Sequence, residues 1–196
     1  MIRRIPAALA VVVGLLVMSV LTPTQLFPES QISEKRQVLL IDHGTHSSLT
    51  LETNEGELIR FAYGDLRYYA NRDTSLESGA AALLWPTPAT LGRAELAGPP
   101  TVQNLKSQLV VVVDTIYSIE AEAAAVDELI AKLDQIHSSG EAQHVAVPAY
   151  GFVFAPHPDD YFWANNSSTM IANWLRELGV GTFGWGLLAS WWVAGT

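Results

Sequence analysis

The sequence contains no cysteine. That removes thiol chemistry, disulfides and the acylation box of a lipoprotein. Positive charge is scarce as well. Eleven Lys and Arg stand against 20 Asp and Glu, a formal net charge of −9. Arg3 and Arg4 both precede Thr22, so the chain beyond that point carries −11. No cluster of Lys and Arg is present to neutralise a phosphate backbone, which excludes nucleic acid as a partner. There is no internal repeat and no low-complexity tract. The histidines show no repeated ligand spacing, so neither a metal nor another cofactor is expected.

What is present fits a folded chain: 49% of the residues are hydrophobic and 16% are charged. At 196 residues there is room for one domain with a real core. The run Ile5–Leu21 carries no charge and follows Arg3-Arg4. Residues 1–22 therefore read as a signal anchor or a signal peptide, and the lack of a small-x-small cleavage site before Thr22-Pro23 favours the anchor. Either reading leaves the arginines inside and the body on the extracytoplasmic, periplasmic side, with the membrane as a partner of the N-terminal segment. Residues 23–36, polar with two prolines, read as a linker, and residues 37–196 as the domain.

Along that domain, Gln37–Asp42 reads as a buried strand. His46–Glu52 and Glu57–Tyr63 alternate around Asn54-Glu55-Gly56, a hairpin signal. Arg67–Leu84 reads as partly helical, and Pro86, Pro88, Gly98, Pro99 and Pro100 mark a long surface loop. Gln108–Tyr117, with four consecutive valines, reads as the strongest strand. Glu120–His137 reads as a helix closed by Gly140, Gln143–Phe154 as a strand, and Asn166–Leu178 as a helix stopped by Gly179. The tail from Thr182 to Val193, with Trp185, Trp191 and Trp192, reads as a final strand whose tryptophans either pack on the core or sit at a bilayer surface. The order is α+β, with an antiparallel sheet packed by helices.

Four constellations have chemical potential. In Asp42-His43-Gly44-Thr45-His46, the two histidines of an extended chain would point to opposite faces, which weakens a metal-site reading built on His43, His46 and His157. If Glu55-Gly56 forms a two-residue turn, cross-strand partners sum to 111 and His46 faces Asp65, within reach for a carboxylate orienting an imidazole. A slip of one residue puts Gly64 there instead. Asn165-Asn166-Ser167-Ser168-Thr169 begins a helix, where backbone N–H groups stabilise negative charge, although Asn and Ser are also ordinary caps. Pro156-His157-Pro158-Asp159-Asp160 reads as a solvated loop.

Three of these stretches, HGTHSSLTLE, FAYGDLRYY and YFWANNSSTMIANWLRELG, together resemble the bacterial "domain of unknown function 2459" family. Its pattern is a His-Gly-x-His strand, a Gly-Asp-x-x-aromatic-Tyr segment and a Thr-Cys-Asn-Thr-Trp helix closing on Gly. The resemblance spans roughly Val38 to Gly179. It implies a permuted papain-like architecture akin to the NlpC-type peptidases. His46 falls on the family histidine, Asp65, Tyr68 and Tyr69 on the second motif, Ser167 on the nucleophilic cysteine and Thr169 on the threonine. Met170 stands where the family has tryptophan.

The resemblance implies two outcomes. One is a serine-variant hydrolase or acyltransferase acting on amide or ester bonds of envelope peptide or lipid. Ser167 would be its nucleophile, His46 the base and Asp65 the orienting acid, with His43, Tyr63, Tyr69, Asn166 and Thr169 around the substrate. The other is a catalytically inactive binding domain of the same fold.

Overall fold

The computed structural model describes residues 22–186 and 188–195. The hydrophobic run Ile5–Leu21 lies outside the described residues. In chain order the elements are β1 (Thr24–Phe27), β2 (Lys35–Asp42), β3 (Ser47–Glu52), β4 (Leu58–Asp65), a single π-helical turn (Leu66–Ala70), α1 (Leu76–Leu84), β5 (Thr87–Leu96), α2 (Val102–Gln108), β6 (Thr115–Glu122), α3 (Ala123–Ser139), a 3₁₀ turn (Glu141–Gln143), β7 (Val145–Val147), β8 (Phe152–Tyr161), α4 (Ser167–Glu177), β9 (Gly181–Phe183) and β10 (Trp191–Val193). The class is α+β. Seven strands form an antiparallel sheet in the order β6-β2-β3-β4-β5-β8-β7. A second sheet, β10-β1-β9, is mixed: β1 runs parallel to β10 and antiparallel to β9. Among the described residues no helix is long and apolar enough to cross a membrane.

Period-two alternation gives the central strands two unlike faces. Leu49 and Leu51 of β3 and Ile59, Phe61 and Tyr63 of β4 join the main core with Val126, Leu129 and Leu133 of α3 and Ile171, Trp174 and Leu175 of α4. The other face carries Ala62 with Phe152 and Phe154 in one cluster, and Leu39, Ile41 and Leu105 in another. Ser48, Thr50 and Arg60 are buried on that second face.

Helix α4 starts sharply because Asn166 accepts from the N–H groups of Ser168 (2.9 Å) and Thr169 (3.1 Å), while Thr169 Oγ1 accepts from Asn166 N–H (2.7 Å). This is a reciprocal capping box. Gly179, at φ +80°, ends the helix.

Several sequence expectations need correction, among them the solvated loop at residues 156–160, which is part of β8. The supposed linker carries β1, whose Leu26 is fully buried, and β2 begins at Lys35. The supposed loop after Pro86 is β5, paired with β4 and β8. Pro86 precedes it, and Pro88 sits at its first residues beside a bulge, where the missing N–H is tolerated. The valine run is not a strand: the chain pairs only from Thr115, and Val110 and Val112 are exposed. Gln143–Phe154 is a hairpin of β7 and β8 rather than one strand.

Candidate functional site

The β2–β3 turn brings His43 and His46 together. His43 N–H donates to His46 C=O (2.9 Å), Gly44 takes φ +86°, and Asp42 Oδ1 accepts from Gly44 N–H (2.7 Å). The chain bends here instead of extending, so both rings lie on the second face of the sheet, 6.4 Å apart and nearly parallel. The opposite-face expectation fails for that reason.

Hairpin β3–β4 differs from expectation in register. Its partners sum to 110, as in Leu49 with Phe61 and Glu52 with Leu58. The cause is the turn. Thr53 N–H donates to Glu57 C=O (2.9 Å) around the three residues Asn54-Glu55-Gly56, and Gly56 supplies the left-handed φ of +81°. Continued to the strand ends, this register sets Gly64, not Asp65, opposite His46. The Tyr69 ring packs over Gly64, where any Cβ would strike it, and meets the His46 ring at 4.6 Å. Asp65 is occupied elsewhere. Its carboxylate accepts from Tyr68 N–H (2.7 Å) and from Thr87 Oγ1–H (2.6 Å).

Ser167, the first residue of α4, is buried on the first face. It opens the helix whose Ile171, Trp174 and Leu175 pack into the main core. Tyr63 is on that face too: its hydroxyl donates to Asp160 C=O (3.0 Å) and accepts from Asn165 Nδ2 (3.0 Å). Asn166 and Thr169 are spent on the cap. The structure therefore brings His43, His46 and Tyr69 together, and holds Ser167, Tyr63, Asn166 and Thr169 on the other side of the sheet. His157 lies against the edge of Tyr63, its Nδ1 accepting from Asp159 N–H (3.0 Å). Among the described residues no group of three His, Asp or Glu is placed to hold a metal.

The histidines line a cavity of about 220 Å³ with Arg60, Tyr69, Val112, Tyr150, Phe152 and Phe154. Its polar end is a chain of hydrogen bonds. His43 Nδ1–H donates to Val112 C=O (2.7 Å), which fixes the tautomer and leaves Nε2 as an acceptor. Arg60 Nη2 donates to that nitrogen (3.0 Å), and Ser48 Oγ lies 3.0 Å from both it and Arg60 Nε. The guanidinium sits 4.4 Å from the Phe152 ring centroid, a cation–π contact. Arg60 is only 3% exposed, and among the described residues no carboxylate lies within ion-pair distance of it. Burial pulls its pKa down to about 9, which still leaves a cation at neutral pH. Among the described residues, His46 Nδ1 is buried with no hydrogen-bond partner.

No family, curated protein or solved structure in the comparisons matches this chain. Arg60 is the charged group of this cavity lining, and no local sequence signal marks it. An Arg at an alternating position of a hairpin reads as solvent-facing, and only the central place of β4 in the sheet buries it.

Burial depresses both ring pKa values, to about 4 for His43 and about 3 for His46, with the Arg60 charge adding to the effect. The unfolded rings take a proton near pH 6.5 and the folded rings do not. Stability is thus fully present above pH 6.5 and falls as pH drops towards 4, by up to about 1.4 kcal/mol per pH unit for each ring. Urea titrations at pH 7, 6 and 5 should show this fall, and His46→Phe should flatten it. Identical pH profiles for the two proteins would contradict the buried neutral imidazole.

Proposed function

We propose that the chain is a binding domain of the extracytoplasmic face, tethered through Ile5–Leu21, that holds a small anionic ligand between Arg60, His43, His46 and the aromatic wall. The observation that carries this reading is Arg60. A buried cation without a counter-charge is costly unless something compensates it. This one lines a cavity together with His46, whose Nδ1 has no hydrogen-bond partner among the described residues. A carboxylate or phosphate would accept from the guanidinium, and a neutral His46 with its proton on Nδ1 would donate to the same group. Tyr69, Tyr150, Phe152 and Phe154 would cover an apolar body. The cavity is smaller than the usual ~300–1,000 Å³ of drug-sized sites, which suits a small acid or the acidic end of a longer molecule.

The permuted papain-like scaffold belongs to this proposal as well. A helix whose first turn carries Ser167 packs on the two strands that follow the histidine turn, in the chain order the resemblance implies. A hydrolase of that design needs base and nucleophile on one face within hydrogen-bond reach. With His46 and Ser167 on opposite faces and Asp65 bonded to Tyr68 and Thr87, the non-catalytic reading is favoured.

Paired probes test it. Benzoate and phenyl phosphate should raise the unfolding temperature, and benzyl alcohol, of similar shape without charge, should not. At 100 times Kd the gain corresponds to about 2.7 kcal/mol. An alcohol that stabilises as well as the acid would remove the role given to Arg60.

A further inference from the structure

The small sheet also has two unlike faces. Leu26 of β1 and Trp191 and Val193 of β10 point inward and are buried. Gln25 pairs with Phe183 on one side and with Trp192 on the other, so these three share the outer face, and Phe27, two residues on, joins them. Phe27 is 44%, Phe183 70% and Trp192 49% exposed, and Phe27 meets Trp192 edge-on at 6.3 Å. Large aromatic groups exposed together on one flat face mark a surface that something covers.

We infer that this face lies on the lipid bilayer, its aromatic rings at the headgroup level. The chain itself supplies the argument. The uncharged run ends at Leu21, and β1 starts at Thr24. Three residues span at most about 11 Å. Whatever surface the apolar segment enters must therefore lie beside β1, and the β1 sheet turns Phe27, Phe183 and Trp192 outward. Aromatic residues are favoured at that depth, where an apolar ring meets polar headgroups. The body carries −11, so the contact suits a zwitterionic surface rather than an anionic one. This inference shares with the proposed function only the insertion of the segment Ile5–Leu21. It is independent of the Arg60 cavity.

Tryptophan provides the test, because every Trp lies at position 85 or beyond and none is in the apolar segment. The full chain is reconstituted in phosphatidylcholine vesicles whose acyl chains are brominated near the headgroup, and Trp emission is compared with unbrominated vesicles. Bromine quenching should be present, Trp192→Phe should lose most of it, and Trp85→Phe should keep it. Phe27→Ser with Phe183→Ser should also reduce it, by weakening the contact without removing the reporter. A chain that floats with the vesicles but shows quenching unchanged by Trp192→Phe would overturn the docked face and leave the anchor standing. A chain that does not float would overturn both. A dimer that shields Trp192 with no quenching would assign the face to a second copy instead.

Discussion

Arg60→Met is expected to weaken the binding of benzoate by about 100-fold while the protein stays folded. The loss follows from removing one partner of a desolvated, hydrogen-bonded charge pair. Such a change costs 2–5 kcal/mol, and about 3 kcal/mol corresponds to that factor. The fold should tolerate it for a separate reason. Met is unbranched and fills much of the same path beside Phe152. The His43 Nε2 acceptor keeps Ser48 Oγ as a donor at 3.0 Å, so no buried acceptor is left bare. Replacing a buried charge that has no counter-charge with an apolar group is often neutral or stabilising. Stability should therefore change by no more than about 1 kcal/mol in either direction. Calorimetric titration and urea unfolding on the same preparation check both halves. A variant that binds benzoate as the parent does would show that the guanidinium is not the anchor.

Trp174→Ala should have the largest effect on stability. Trp174 is 1% exposed, the largest of the fully buried side chains, and sits where α4 crosses β3 and β4. Truncating a buried Trp costs 3–5 kcal/mol through lost transfer energy and the cavity left behind. Against a total of about 5–15 kcal/mol that is a large share of the margin. The urea midpoint should fall accordingly. Trp192→Ala, taken from the exposed outer face, should move it far less. Similar shifts for the two variants would contradict the core placement of α4.

Local signals in the sequence were dependable where one physical cause dominated. Asn166 and Gly179 bound a helix through capping chemistry, and both α3 and α4 follow their apolar periodicity. The signals failed where tertiary context decided. Pro86 and Pro88 read as loop residues, yet Pro88 sits beside a bulge in β5, and Gly92 of the same strand leaves room for the rings of Phe152 and Phe154. Four valines read as a strand, yet the sheet edge is reached only at Thr115. The hairpin was legible as a hairpin, but its register hung on whether two or three residues make the turn. That single residue is the difference between Asp65 and Gly64 beside His46. Nothing local distinguishes a solvated Arg from one buried by its neighbours, so Arg60 became visible only with both faces of the sheet in view.

The pairing of β1 with β10 bears on how the molecule is assembled. Thr24 lies beside Trp191 and Leu26 beside Val193, so β1 closes only against β9 and β10, which follow all the other described strands. Contacts this distant in sequence form slowly, because the whole intervening chain must be brought round before they bring any stabilisation. Until then β1 is an open strand edge, with Leu26 uncovered, next to an apolar segment. The seven strands of the large sheet pair with one another without β1, β9 or β10. Burial of the strand that follows the apolar segment is then delayed until the chain through β10 has emerged.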